Sequence, residues 1–175
     1  MKPNVMDQEI ERYLNDHLAG SAGAVLLIQE LADKSKNTTD RRFFGRLKAE
    51  VENDRKVLEE LLTSIGAEPS STLRLAGDVT ARFGLIKLMW EGFAPGKLGM
   101  FEALEMLVLG IQGKRVLWRM LDDLIHWYPE WEEIDFEKLE NDARRQRDEV
   151  EAYRQREGRN TLVCEQRRKP PRSLP

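Results

Sequence analysis

Cysteine is almost missing from this chain of 175 residues, where Cys164 stands alone. No intrachain disulfide can form, a cysteine-rich metal site is excluded, and a reducing compartment is expected. Histidine is nearly as scarce, with only His17 and His126. Charge of one sign is lacking too. Lys plus Arg number 28 against 31 Asp plus Glu, a net charge of −3, so no global field points to nucleic acid or an acidic substrate. The opening MKPNVMDQEIERY holds no apolar core of a secretory signal. The longest apolar run is interrupted by Glu102, Glu105 and Lys114 and falls short of the roughly 20 residues that cross a bilayer. A soluble, cytoplasmic protein with no membrane association is expected. Phosphate-binding loops, HExxH, a dinucleotide fingerprint and a nucleophile with an adjacent base are all absent.

What the chain does have is helical periodicity. Its length suits one domain with a sizeable core, and no strand alternation or internal repeat is visible. Asn4 and Asp7 offer caps for a first helix reaching about Lys34, with an inner stripe of Ile10, Tyr13, Leu14, His17, Leu18, Ser21, Ala24, Val25, Ile28 and Ala32. After the cap cluster Asn37-Thr38-Thr39-Asp40, a second helix runs from Arg41 to about Ser64, closed by Gly66 and stopped by Pro69. A third, capped by Ser70 or Ser71, runs to about Trp90, and a glycine- and proline-rich loop follows it. The fourth, Met100 to Leu124, is apolar around most of its circumference and belongs in the middle of the protein. Pro129 breaks the chain within HWYPEWEEIDF, and a fifth helix runs from Asp135 to about Arg156 on a thin apolar stripe. The expected fold is therefore all-α: an antiparallel four-helix bundle over residues 1–157, its first four helices in up-down-up-down order and the fifth docked outside. Residues 158–175 read as a disordered basic tail. A second topology makes the third helix a crossover and takes helices one, two, four and five as the bundle.

Two features of the inner faces invite interpretation. The first helix is unusually small at its centre, with Gly20 and Gly23, and the fourth carries Gly110 and Gly113. A helix-interior glycine costs about 1 kcal/mol relative to alanine, so a close approach of these two helices is expected there. The alternative is that the glycines make room for a cofactor. The second feature is a polar layer. His17, Asp54 and Lys114 lie on apolar stripes near the middle of their helices, with Arg82 at similar depth. Charges buried alone would neutralise, so a mutually paired cluster is expected. Glu50 and Gln112 are its outer members. Such a layer fixes helix register, or else handles a small ligand, an anion or a proton.

The segments YLNDHLAGSAGA, AEVENDRKVLEELL and EALEMLVLGIQGKRVLW resemble ferritin-like bundle proteins of bacterial type, over about residues 8 to 126. The resemblance implies a four-helix bundle. In metal-bearing members of that superfamily, two helices supply Glu-x-x-His and the others Glu. Here Glu50 is followed by no histidine three residues on, and neither is Glu102, so a di-iron centre cannot be assembled and no cofactor is expected. A degenerate single-ion site of His17, Asp54 and Glu105 is what could survive. The expected function is that of a non-catalytic bundle acting through protein contacts. A degenerate metal or small-ligand binder is the alternative, and an enzyme using the His17, Asp54 and Lys114 group ranks third. Trp127, Tyr128 and Trp131 are candidates for anchoring a partner or a homodimer, or for seating the last helix. The Arg167, Arg168, Lys169 and Arg172 cluster lacks the aromatics that accompany nucleic-acid binding, which is not expected.

Overall fold

Capping chemistry sets the helix ends. The computed structural model describes residues 5–67 and 97–164, and the statements below concern these residues. Helix α1 spans Val5–Lys34 and α2 spans Thr38–Ser64. Between them, the Asn37 side chain accepts a hydrogen bond from the Asp40 amide at 2.8 Å, satisfying one of the four free donors at the start of α2. At its far end Gly66 takes φ +74°, and the amides of Gly66 and Ala67 return to the carbonyls of Thr63 and Leu62, each at 3.0 Å. That is the reversal a glycine after a helix permits. Helix α3 spans Lys97–Leu124 and α4 spans Phe136–Leu162, the latter capped by Asp135 through the Lys138 amide at 2.8 Å. Two 3₁₀ turns, Ile125–Trp127 and Pro129–Trp131, join α3 to α4. Among the described residues there is no strand, and no helix is long and apolar enough to cross a membrane.

The helices form two hairpins, α1 with α2 and α3 with α4, that share one core. Side chains fix their directions. Asp54 meets Lys114 and the Trp131 indole donates to Ser64 Oγ at 2.9 Å, so α2 and α3 run the same way. Arg46 reaches Glu149 at 2.6 Å, Arg145 reaches Glu50 at 3.3 Å and Arg156 reaches Asp40 at 3.2 Å, so α4 runs antiparallel to α2. Phe43 also stacks on Tyr153, with ring centroids 4.8 Å apart. The link between α1 and α2 is only residues 35–37, tighter than the sequence implied.

Three expectations change. The last helix is not docked outside the bundle: Phe136, Ala143, Gln146 and Val150 are buried in its interior. Its stripe looked thin because 136, 143 and 150, with 139, 146 and 153, repeat strictly every seven residues, the narrow seam of coiled-coil packing. The described helices, the first, second, fourth and fifth of those expected, therefore share one core. The helix expected over Ser71 to Trp90 lies outside the described residues. Finally, α4 does not stop at Arg156, and the boundary expected after residue 157 falls inside it. Gly158 is buried against Phe101, and the basic cluster from Arg167 onward lies outside the described residues.

The aromatic corner seats the last helix, one of the two roles expected of it. Trp131 is fully buried, stacks on Tyr128 at 4.1 Å and meets Phe136 edge-on, while Trp127 faces solvent.

At Gly158 a side chain has no room. A Cβ there would lie 2.8 Å from Cε2 of Phe101, whose ring sits under the Arg154 guanidinium at 5.4 Å. Gly158→Leu should destabilise the protein by about 1–3 kcal/mol through overpacking, and Phe101→Ala in the same background should relieve part of the loss. Urea unfolding of the three proteins checks this; an unchanged midpoint in Gly158→Leu would show that the ring yields freely.

Candidate functional site

The polar layer forms, with a membership different from the one expected. Positions 44, 47, 51, 54, 58 and 61 of α2 form a heptad seam, and Asp54 occupies it one turn beyond Val51. On α3 the corresponding seam is 104, 107, 111, 114, 118 and 121, with Lys114 in its middle. These seams face each other, and the Lys114 ammonium donates to Asp54 Oδ2 and to Gln146 Oε1 of α4. The Asp54 and Lys114 side chains are only 12% and 13% exposed, and Gln146 is 1% exposed. Burial pushes the Asp54 carboxyl up from the usual carboxylate range, and the attraction of Lys114 offsets this only in part.

The remaining candidates sit elsewhere. His17 faces the same space as Asp54 and Lys114 but bonds to neither; its ring meets Tyr13 edge-on at 4.8 Å. Burial lowers the His17 pKa, with the neighbouring Asp16 opposing, so the imidazole is held neutral. Glu50 lies one turn from Asp54, yet its carboxylate goes to Arg145 at 3.3 Å and Arg46 at 3.8 Å. Its Oε2 is buried without a partner. Glu105 is about 13 Å of helix rise from Lys114 and pairs with Arg154 at 3.0 Å. Gln112 accepts from Arg147 at 3.3 Å. Arg82 lies outside the described residues. Among the described residues no three His, Cys, Asp or Glu side chains converge, so the single-ion site of His17, Asp54 and Glu105 is not formed. The register along α3 separates its members.

The glycines give the largest correction. A Cβ added at Gly20, Gly23, Gly110 or Gly113 would meet nothing within 4 Å, so they mark open space and not a tight helix contact. A cavity of about 310 Å³ lies there, between α1, α2 and α3. Its walls include Gly20, Gly110 and Gly113, the apolar Ala24, Val51, Leu58, Ile111 and Leu117, and the polar His17, Ser21, Asp54, Arg55 and Lys114. Exposed Asp16, Gly20 and Gly110 mark its mouth. Arg55, which sequence reasoning missed, crosses from α2 to α1 and donates through Nη1 to the Leu18 carbonyl at 2.8 Å and to Ser21 Oγ at 2.7 Å. The signal for Gln146 was available in the seven-residue repeat of α4; none marked Arg55.

Comparison of the chain with family models, with curated proteins and with solved structures returns no match in any of the three. The chemistry of the site therefore rests on its geometry: a buried, compensated ion pair at the side of an apolar cavity with a neutral imidazole on its wall.

Two outcomes follow from this geometry. Asp54→Leu or Lys114→Met alone should cost about 3–5 kcal/mol, because each strands a buried partner, while the double substitution should be far milder. A coupling energy below roughly 0.5 kcal/mol in the double-mutant cycle would mean that the groups do not interact. His17 adds a pH dependence of definite sign. Its folded pKa is below the unfolded value of about 6.5, so its contribution is fully present above that pH and lost as pH falls through the folded pKa. The unfolding midpoint of the native protein should therefore drop more between pH 7.5 and pH 5 than that of His17→Gln; equal slopes would refute it.

Proposed function

We propose that this protein is a non-catalytic helical bundle of ferritin-like type that binds a small, largely apolar organic molecule in the cavity between α1, α2 and α3. The observation that carries the reading is the open space beside Gly20, Gly110 and Gly113. Each of these helix-interior glycines lowers stability by about 1 kcal/mol relative to alanine, and no neighbouring backbone among the described residues needs the room. A bound molecule would use it. The volume supports this: about 310 Å³ is twice the roughly 150 Å³ that holds benzene in an apolar cavity, and it lies at the lower end of ligand pockets. The ferritin-like reading is supported by two antiparallel hairpins joined so that α2 and α3 run in the same direction, with a polar layer at mid-depth.

No group in the cavity forms a nucleophile with an adjacent base. Lys114 is occupied by Asp54 and Gln146, and His17 donates to no carboxylate among the described residues. That favours binding over catalysis. A second reading, contact with a protein partner or a second copy, draws on the outward stripe of Met106, Leu109, Val116 and Met120 on α3, where Leu109 is 66% exposed. The stripe names no occupant of its own, and the cavity reading ranks above it.

The test fills the cavity. Gly113→Leu should leave stability within about 1 kcal/mol of the native protein or raise it, since the side chain enters open space and a helix glycine is lost. Saturation-transfer NMR with indole should show binding to the native protein and none to Gly113→Leu. Strong destabilisation would mean that the helices do close on one another there, and indole binding unchanged by the substitution would place the ligand elsewhere.

A further inference from the structure

We infer that the molecule held in this cavity is a small apolar monocarboxylate whose carboxylate is gripped by Arg55. The inference rests on the cavity being a ligand site and adds the chemical class of its occupant. Arg55 is the exception among the half-buried arginines described. Arg115, Arg147 and Arg154 each have a carboxylate within ion-pair distance: Glu140, Asp148, and Glu105 with Glu151. Arg55 has none among the described residues. Among the described residues only its Nη1 is used, donating to the Leu18 carbonyl and to Ser21 Oγ, which itself donates to that carbonyl at 2.7 Å. This triangle ties the guanidinium to α1; Nε and Nη2 have no acceptor among the described residues, and the Arg55 side chain lines the cavity. A planar fork held in place by one corner matches a carboxylate through two parallel hydrogen bonds.

The other charges around the cavity leave Arg55 as the one to be met. Lys114 and Asp54 compensate one another, and Gln146 takes a further donor of Lys114. His17 is held neutral by burial. Asp16 stands exposed at the mouth, where water screens it. Beyond Ser21 the rest of the wall is apolar, its larger side chains being Val51, Leu58, Ile111 and Leu117. A carboxylate on an apolar body of one ring and a short chain suits both halves. A phosphate or dicarboxylate would bring a second charge with no cation to receive it.

Isothermal titration of the full chain with 3-phenylpropanoate, 3-phenylpropanamide and 3-phenylpropylamine decides the matter. The carboxylate should bind the native protein at least about tenfold more tightly than the isosteric amide, with the amine weakest. Arg55→Met should reduce the carboxylate to the amide's affinity while changing the amide by no more than about twofold. Equal affinity of native protein for carboxylate and amide, or tightest binding of the amine, overturns the inference and leaves the cavity as a ligand site. No binding of any of the three overturns both. The comparison within the native protein decides even if Arg55→Met fails to fold.

Discussion

Everything at the centre of this bundle depends on one buried charge having a partner. Lys114 and Asp54 are both about seven-eighths withdrawn from water, and neither could remain ionised there alone. The pair, with Gln146 satisfying a further donor, ties α2, α3 and α4 at one depth. A slip of one heptad would set Lys114 against Leu47 or Leu61 and Asp54 against Leu107 or Leu121, stranding each charge in the core. Net stabilisation is a separate matter: the raised pKa of Asp54 means that burial outweighs the attraction, so the pair specifies register more than it adds stability. Below its folded pKa the carboxyl is protonated and that cost is relieved; as pH rises through it the cost returns.

The cavity follows from the same constraint. With α2, α3 and α4 locked together and α1 packed along α2, the surfaces of α1 and α3 stay apart at the glycines. The small residues along the facing surfaces, Gly20, Ser21 and Ala24 against Gly110 and Gly113, then leave volume that no described side chain fills. Arg55 holds the α1 side of this space through Leu18 and Ser21. Polar links on two sides keep an apolar hollow open.

Much of this was legible in residue spacing. Asn37, Gly66 and Asp135 cap helices as their chemistry dictates, and the meeting of Asp54 with Lys114 follows from apolar stripes at matched depth. What failed did so for physical reasons. A helix-interior glycine costs the same whether it admits a neighbouring helix or empty space, so the sequence of α1 and α3 could not separate the two. Glu105 lies near Lys114 in the sequence, but more than two turns apart along α3, and Arg154 claims it. The last helix appeared too polar because interhelical ion pairs, such as Arg115 with Glu140 at 2.6 Å, flank a seam only two residues wide per heptad. The helix beyond Arg156 was missed because Gly158 reads as a stop, although there it is the gap into which the Phe101 ring fits.

The two-hairpin arrangement also orders events in time. Within each hairpin, contacts form between helices joined by the short links 35–37 and 125–135, as local pairing that helical chains complete quickly. The Asp54–Lys114 contact closes a loop of 60 residues, and the entropy of that closure is lost before the pair can form. Docking of the hairpins is then the late step. The interactions it makes act as a latch on unfolding more than as a guide to folding, because groups that meet after the barrier chiefly set the rate of escape from the native state. On this order of events the apolar faces shared by the two hairpins, with the ion pair fixing their register, set how long the assembled bundle stays shut.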